Sequence, residues 1–409
     1  MTAPLAREGQ PDEAPRRNAV LLTLSLLGVF ASWWLPFLRV APNRLMSGEP
    51  LKFFATLQGP AWLLVGLLIF IAAASLLKTN RKVHWAVAIA SIASITGLLW
   101  LAGAHAAFVA QTASPIARTS LGGAFWVGSL LLGLIAADAV QRLRVKSGLR
   151  TVVLLAALLP LYALLASGGC DSLSIMKEYV NRADTFWPAM ARHVQIVLTA
   201  LVPTLCIGLP LGWLAWHRVQ LGLSLFPVLN VIQTIPSIAL FGLLMAPLAW
   251  LAVAMPALGR TGISGVGLAP GVIALTLYSL LPVVRGTLAG LAGVPTSVRD
   301  AARGLGMGSS PIFWQVDVPL AAPVVLAGIR TATIQMVGLA AVTALIGAGG
   351  LGAIMFEGLF SSAEDLVLLG VVPIIFLGVA VDAAFTALIA ISSPVHRQAW
   401  GDVLEAAPA

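Results

Sequence analysis

An all-α polytopic membrane protein with about ten transmembrane helices is the fold this sequence predicts, and three observations predict it. Hydrophobic residues make up 59% of the 409 and charged ones 10%, with a mean hydropathy of +0.96, a balance that soluble globular domains do not show. Apolar runs long enough to cross a hydrocarbon core can be placed ten times, at roughly 19–38, 61–77, 85–108, 121–140, 151–167, 191–216, 223–250, 269–293, 322–346 and 366–391. Sixteen of the 24 lysines and arginines fall on one side of the alternating loops and eight on the other, which puts both termini in the cytoplasm.

Residues 1–18 are polar and proline-containing and read as a disordered cytoplasmic tail anchored by Arg16 and Arg17. Ala19–Leu38 runs on into Arg39 and Pro42 without a small-residue cleavage pattern, so it reads as a retained span. The first five spans, 19–167, form an N-terminal membrane extension whose outer loops are too short for a soluble binding domain. Trp33, Trp34, Trp62, Trp85, Trp100 and Trp126 lie near span ends and read as interface anchors. Asp138 lies near the inner end of the fourth span, and His105 is isolated. The polar outer loop 168–189 separates this half from the rest. It holds Cys170, which should not pair with Cys206 inside the sixth span, and neither has metal-ligand neighbours.

In the second half, 190–391, Pro203 and Pro210 in the sixth span and Pro227, Pro236 and Pro247 in the seventh require kinked or broken helices. Asn230, Gln233, Thr234 and Ser237 fall at i, i+3, i+4 and i+7, one face of a helix. Polar groups on such a stripe inside a membrane either bond to neighbouring helices or line a wet path. Tyr278 in the eighth span offers a ring face to a passing quaternary ammonium or simply packs. Thr331 and Gln335 share a face of the ninth span, which ends at the glycine-rich Gly347–Gly352, a sequence suited to a tight outer turn or close packing. Asp382 is the carboxylate deepest in the last span, either functional or paired with a base. Residues 392–409 read as a second cytoplasmic tail.

The longest charged interruption of this half is Val298–Ala321, V-R-D-A-A-R-G-L-G-M-G-S-S-P-I-F-W-Q-V-D-V-P-L-A. Ser297 with Asp300 reads as a capping box, and Gly304, Gly306 and Gly308 as the turn that follows. Ser310-Pro311 restarts a helix and Pro319 stops it. Asp300-Ala301-Ala302, then Gly306, Val316 and Val318-Pro319, resembles the EAA loop of ABC importer permeases, the coupling helices that dock into the ATPase. Asp300 stands where glutamate is usual, Val316 where isoleucine is usual and Val318 where leucine is usual; Asp300 keeps the charge on a side chain one methylene shorter.

The resemblance implies a five-helix type I permease core over 190–391 with a coupling loop at 297–320, in which Arg299, Asp300, Ala301, Ala302, Arg303, Gly306, Val316 and Pro319 carry ATPase coupling. Asn230, Gln233, Thr234, Ser237, Tyr278, Thr331 and Gln335 are the translocation-path candidates. It further implies a separate ABC ATPase subunit that uses ATP and magnesium, a separate periplasmic or extracellular solute-binding protein, and a second permease subunit, since one coupling motif cannot serve two ATP sites. The strings Q-T-I-P-S, A-G-I-R-T-A-T-I-Q and I-G-A-G-G-L-G resemble the osmoprotectant branch, which imports glycine betaine, choline or related quaternary amines, and the extra half resembles the Yeh-type long permease. An ion-gradient-driven carrier is the alternative, and it would need Asp382. No Walker A, H-E-x-x-H or G-x-S-x-G sequence occurs, so no enzyme, resident cofactor or metal is expected. The net charge of +8 sits at helix ends, where anionic headgroups of membrane lipid account for it without nucleic acid.

Overall fold

The structure is a computed structural model that describes residues 18–44, 46–78, 80–113, 116–143, 147–260 and 262–392. Residues 1–17 of the predicted tail 1–18 and 393–409 of the predicted tail 392–409 lie outside the described residues, as do Arg144 and Lys146, two of the sixteen basic residues predicted to be cytoplasmic. The chain divides into two units, the first ending at Lys177 and the second beginning at Glu178.

The first unit is built from α1 (Ala19–Trp34), α2 (Trp62–Ala74), α3 (Arg81–Thr112), α4 (Gly123–Arg142) and α5 (Ser147–Ala166). Asn18 and Asn80 cap α1 and α3 by accepting from the Leu21 and Val83 amides, which satisfies donors that have no partner inside the helix. The helices bury their contact stripes in one core around Leu98, Leu101, Ala102, Leu132 and Ile135. This all-α fold also carries a small three-stranded sheet in the first unit, β1 (Leu38–Ala41), β2 (Glu49–Leu51) and β3 (Arg118–Leu121), with β1 in the centre and antiparallel to both neighbours. Leu38 pairs with Leu51 on one side and Leu121 on the other and is fully buried. Strands of three or four residues carry too little alternation to be read in so apolar a chain.

The second unit is organised around α11 (Leu268–Ala292), which packs between α7 (Ala183–His217) and α14 (Val318–Ala340). Helix α16 (Glu364–Ser392) lies against α14, and the short α15 (Leu351–Phe360) against α16. The α11–α14 crossing is backbone to backbone: a Cβ on Gly286 would lie 2.8 Å from the Cα of Gly328, and one on Gly328 2.7 Å from the Pro282 carbonyl. Helices driven together by packing rather than by water exclusion approach this closely only through small residues.

Among the described residues, seven helical stretches are long and apolar enough to cross a membrane, and the other predicted runs coincide with shorter apolar helices. Proline is read differently at different positions. Helix α7 continues through Pro203 and Pro210. The predicted span 223–250, in contrast, is two helices, α8 (Val219–Thr234) and α9 (Ser237–Ala254), because Ile235 before Pro236 is extended, at ψ 127°. The stripe from Asn230 to Ser237 is therefore not one helical face, since Ser237 opens α9.

Pro319 does not stop its helix. Helix α13 (Ser309–Ile312), a π-turn at Phe313–Asp317 and α14 run on as one 32-residue stretch. The wider π ladder lies at the residues whose carbonyls a proline at 319 would otherwise clash with. The predicted ninth span ends earlier, in a 3-10 turn at Val342–Ile346, followed by Gly347, Gly349 and Gly350 at φ of 81°, 83° and 82°. These glycines make the tight turn that leads into α15.

Candidate functional site

Two neighbouring regions of the second unit gather the predicted residues. The first is the elbow formed by α12 (Thr296–Gly304) and α13. The capping box is not formed: Pro295 precedes the first turn, no side chain caps it, and Ser297 already lies inside the helix. Asp300 instead pairs with Arg303 at 2.9 Å, with both side chains about two-thirds exposed. The helix closes as the glycines predict. Gly306, at φ 82°, donates to the Arg303 carbonyl, and Met307 reaches back to that of Ala302, the double bond of a left-handed helix stop.

The anchor of the elbow is Arg299. Its Nε donates to Asp317 at 2.6 Å, its Nη2 donates to the Leu291 carbonyl at 2.7 Å, and its guanidinium lies 5.1 Å from the Trp216 ring. Asp317 is buried, so this pair joins α12 to the root of α14 and to the end of α7 where solvent screening is weak. Ala302 faces inward at 6% exposure, whereas Ala301 and Pro319 are exposed and Val316 is half-buried. Leu305 and Trp314 are left open, at 84% and 66% exposure. The structure thus splits the predicted coupling set into an inward anchor and an outward face.

The second region is an open groove of roughly 500 Å³ between α8, α11 and α14, lined by Gln233, Arg285, Thr331 and Gln335 over a floor that includes Pro282 and Gly286. Three translocation candidates meet here: Gln233, Thr331 and Gln335. Asn230 is exposed, is not among the lining residues and accepts a 2.8 Å bond from Arg285. Thr234 donates to its own helix at Val231, and neither it nor Ser237 lines the groove. Tyr278 does not offer its ring to the groove. It is 4% exposed among Leu240, Phe241, Ala274 and Ile346, and its hydroxyl donates to the Ile235 carbonyl. That contact satisfies an acceptor freed where Pro236 interrupts the helix.

Asp382 is paired with Arg330, whose Nε donates to it at 2.6 Å, the arrangement in which an intramembrane acid needs no proton-carrying role. Arg182 forms a two-pronged pair with Glu357, one bond measuring 2.8 Å. His193 is fully buried and contacts the Val337 carbonyl at 3.0 Å. Among the described residues no group of three or more His, Cys, Asp or Glu is placed to hold a metal.

Arg285 and Asp317 are the contributors that reading the sequence missed. Arg285 lies seven residues before the end of α11, about 10 Å along the axis. That depth is legible as unusual for a flanking charge, but the cavity is not. The partnership of Asp317 with a residue 18 positions away has no periodicity to announce it.

Residues 205–391 match the family model described as binding-protein-dependent transport system inner membrane component, and residues 16–176 match that of the N-terminal domain of ABC transporter permease YehY. The chain is 38% identical over 195 residues to the osmoprotectant import permease protein OsmW of Salmonella typhimurium, a match covering 47% of this chain and 84% of that protein. It is 35% identical over 190 residues to the choline transport system permease protein OpuBB of Bacillus subtilis, covering 46% and 80%. Among solved structures, an inward-facing form of the MetNI methionine ABC transporter matches 51% of this chain and 95% of its own with a TM-score of 0.44 and 20% identity.

Proposed function

The chain belongs to the family of binding-protein-dependent transport system inner membrane components, the permease subunits of ABC importers, and from that premise we propose that it forms one wall of the path by which an osmoprotectant such as glycine betaine, choline or a related quaternary amine enters the cell. The chain is a multi-pass inner-membrane transport subunit and not itself an enzyme. Partner subunits supply the rest. An ATPase binds ATP and magnesium and docks on the elbow, a binding protein delivers solute from outside, and a second permease, either a copy or a relative, provides the facing wall and the second docking helix. Both termini and the elbow are cytoplasmic in this reading, which the distribution of lysine and arginine supports. The division at 168–189 leaves 19–167 as an extension and 190–391 as the transporting core.

The observation that carries the proposal is the construction of the elbow. One side of α12 is locked by Arg299 to Asp317 at the root of α14, while its other side presents Ala301, Leu305 and the Asp300–Arg303 pair to the outside. A push on the exposed side by a closing ATPase is transmitted rigidly to α14, the helix that carries Thr331 and Gln335 to the groove. Gly306 and Val316 shape the link, and Ala302 seats it.

The test is ATP-driven uptake of radiolabelled glycine betaine by cells carrying this chain and its partners, with wild type compared to Asp300→Arg. Loss of uptake at unchanged membrane abundance is the expected result. Undiminished uptake would remove the docking role, and uptake that follows an ion gradient instead of ATP would replace the importer with a carrier.

A further inference from the structure

The charges around the groove do not balance. Among the described residues Arg285 has a single hydrogen-bond partner, the neutral side chain of Asn230, and its guanidinium carbon lies 5.9 Å from the Phe226 ring. No carboxylate among the described residues pairs with it. Four acids of this unit are paired with other bases: Asp300 with Arg303, Asp317 with Arg299, Glu357 with Arg182 and Asp382 with Arg330. A guanidinium about two helical turns inside a membrane helix is costly unless it faces water or a ligand of opposite charge. The groove also lacks the two features that hold a net cation. Among the described residues no acidic side chain lines it, and Tyr278, whose ring could stack on an ammonium, is buried away from it.

We propose that Arg285 makes this groove selective for zwitterionic solutes, in which a carboxylate accompanies the quaternary ammonium, over net cations such as choline. The inference rests on the reading of the groove as one wall of the translocation path. The planar fork of a guanidinium matches a carboxylate with two parallel donors, which a cation cannot accept. Gln335, on the same wall and without a hydrogen-bond partner among the described residues, has an amide free to add a third donor. The methyl groups of the ammonium need no hydrogen bonds and fit against the floor at Pro282 and Gly286. A net cation meets the same guanidinium as a like charge. Asn230 is the positioning residue: its oxygen holds Arg285 in place and leaves the charge uncancelled.

The experiment uses proteoliposomes containing the full assembly of this chain, its ATPase, its second permease and its binding protein, with ATP-driven uptake of radiolabelled glycine betaine and choline measured side by side. The readout is the ratio of the two uptakes relative to wild type. The preference of the binding protein enters every variant equally and cancels, as does protein abundance. Loss of one charge-assisted contact predicts that Arg285→Gln lowers the betaine-to-choline ratio about tenfold. Arg285→Lys, which keeps the charge but not the fork, retains only part of the ratio and falls between wild type and Arg285→Gln. Asn230→Asp, which places an acid beside an intact Arg285, lowers it as Arg285→Gln does, and serves where the glutamine variant fails to assemble. An unchanged ratio in Asn230→Asp or Arg285→Gln with ATP-driven uptake intact overturns the role of Arg285 and leaves the importer standing. No ATP-driven uptake of either solute by the unaltered assembly overturns both.

Discussion

The side-chain amide of Gln233 donates a 2.7 Å hydrogen bond to the backbone carbonyl of Tyr278, and the Tyr278 hydroxyl answers with one to the carbonyl of Ile235, two residues from Gln233. Each bond repairs a defect made by a proline. Pro282, four residues after Tyr278, has no N–H to offer its carbonyl, and Pro236 leaves the Ile235 carbonyl outside any helix. The break between α8 and α9 is thus stitched to the proline site of α11 by two side chains. Gln233→Leu leaves the Tyr278 acceptor unpaired and Tyr278→Phe leaves that of Ile235, each expected to cost about 1–3 kcal/mol. Because both bonds hold the same pair of helices, the double variant should cost less than the sum of the single ones. Thermal unfolding of the purified variants in one detergent measures this, and strict additivity would show that the two bonds act independently.

The α11–α14 crossing admits no side chain at Gly328, where a Cβ would lie 2.7 Å from the Pro282 carbonyl. Gly328→Ala should therefore destabilise by about 1–3 kcal/mol through forced separation of the helices. Gly338, ten residues on in the same helix, has nothing within 4 Å of its would-be Cβ. Gly338→Ala should be neutral or gain up to about 1 kcal/mol from helix propensity. Equal losses at the two positions would assign the effect to something other than the crossing.

The two ion pairs of the elbow should separate stability from coupling. The Arg299–Asp317 side chains are 14% and 4% exposed, so Asp317→Ala strands a buried guanidinium at an expected cost of about 3–5 kcal/mol. The exposed Asp300–Arg303 pair contributes little to stability, so Asp300→Ala should melt with wild type. Melting curves for both, set beside ATP-driven uptake, distinguish an anchor from a docking face. A large loss of stability in Asp300→Ala would contradict the division.

Cys170, in the turn after α5, is fully buried, and burial followed by the negative charge of Asp171 pushes its thiol from 9.0 up to about 11. The folded state then keeps the proton that the unfolded chain gives up above pH 9. Stability is unaffected below pH 9 and is lost as pH rises from 9 towards 11, by about 2–3 kcal/mol in all. Comparing unfolding midpoints of wild type and Cys170→Ala across that window isolates the effect. Alkylation of Cys170 in the folded protein at pH 8 should be slow, and fast labelling would contradict its burial.

Composition and the spacing of apolar runs were enough to establish a polytopic helical membrane protein, because crossing a bilayer demands long apolar helices whatever the packing. The charged stretch around Asp300 was legible for the same reason, since so many charges cannot lie in hydrocarbon, and the turn at Gly306 followed from a backbone angle that glycine adopts freely. Contacts between helices decided the rest. Whether a proline breaks a helix depended on what receives its freed carbonyl: Pro236 interrupts where the Tyr278 hydroxyl accepts the role of donor, while Pro319 is absorbed by a π-turn. Gln233, Thr331 and Gln335 could be listed as polar residues in spans, but only packing made them one wall and set Tyr278 behind it. Arg285 counted along the chain as one more inner charge, and its lack of an acidic partner is a property of three helices together. Hydrophobic patterning fixes which segments enter the membrane, and side-chain reach across distant segments fixes what they do there.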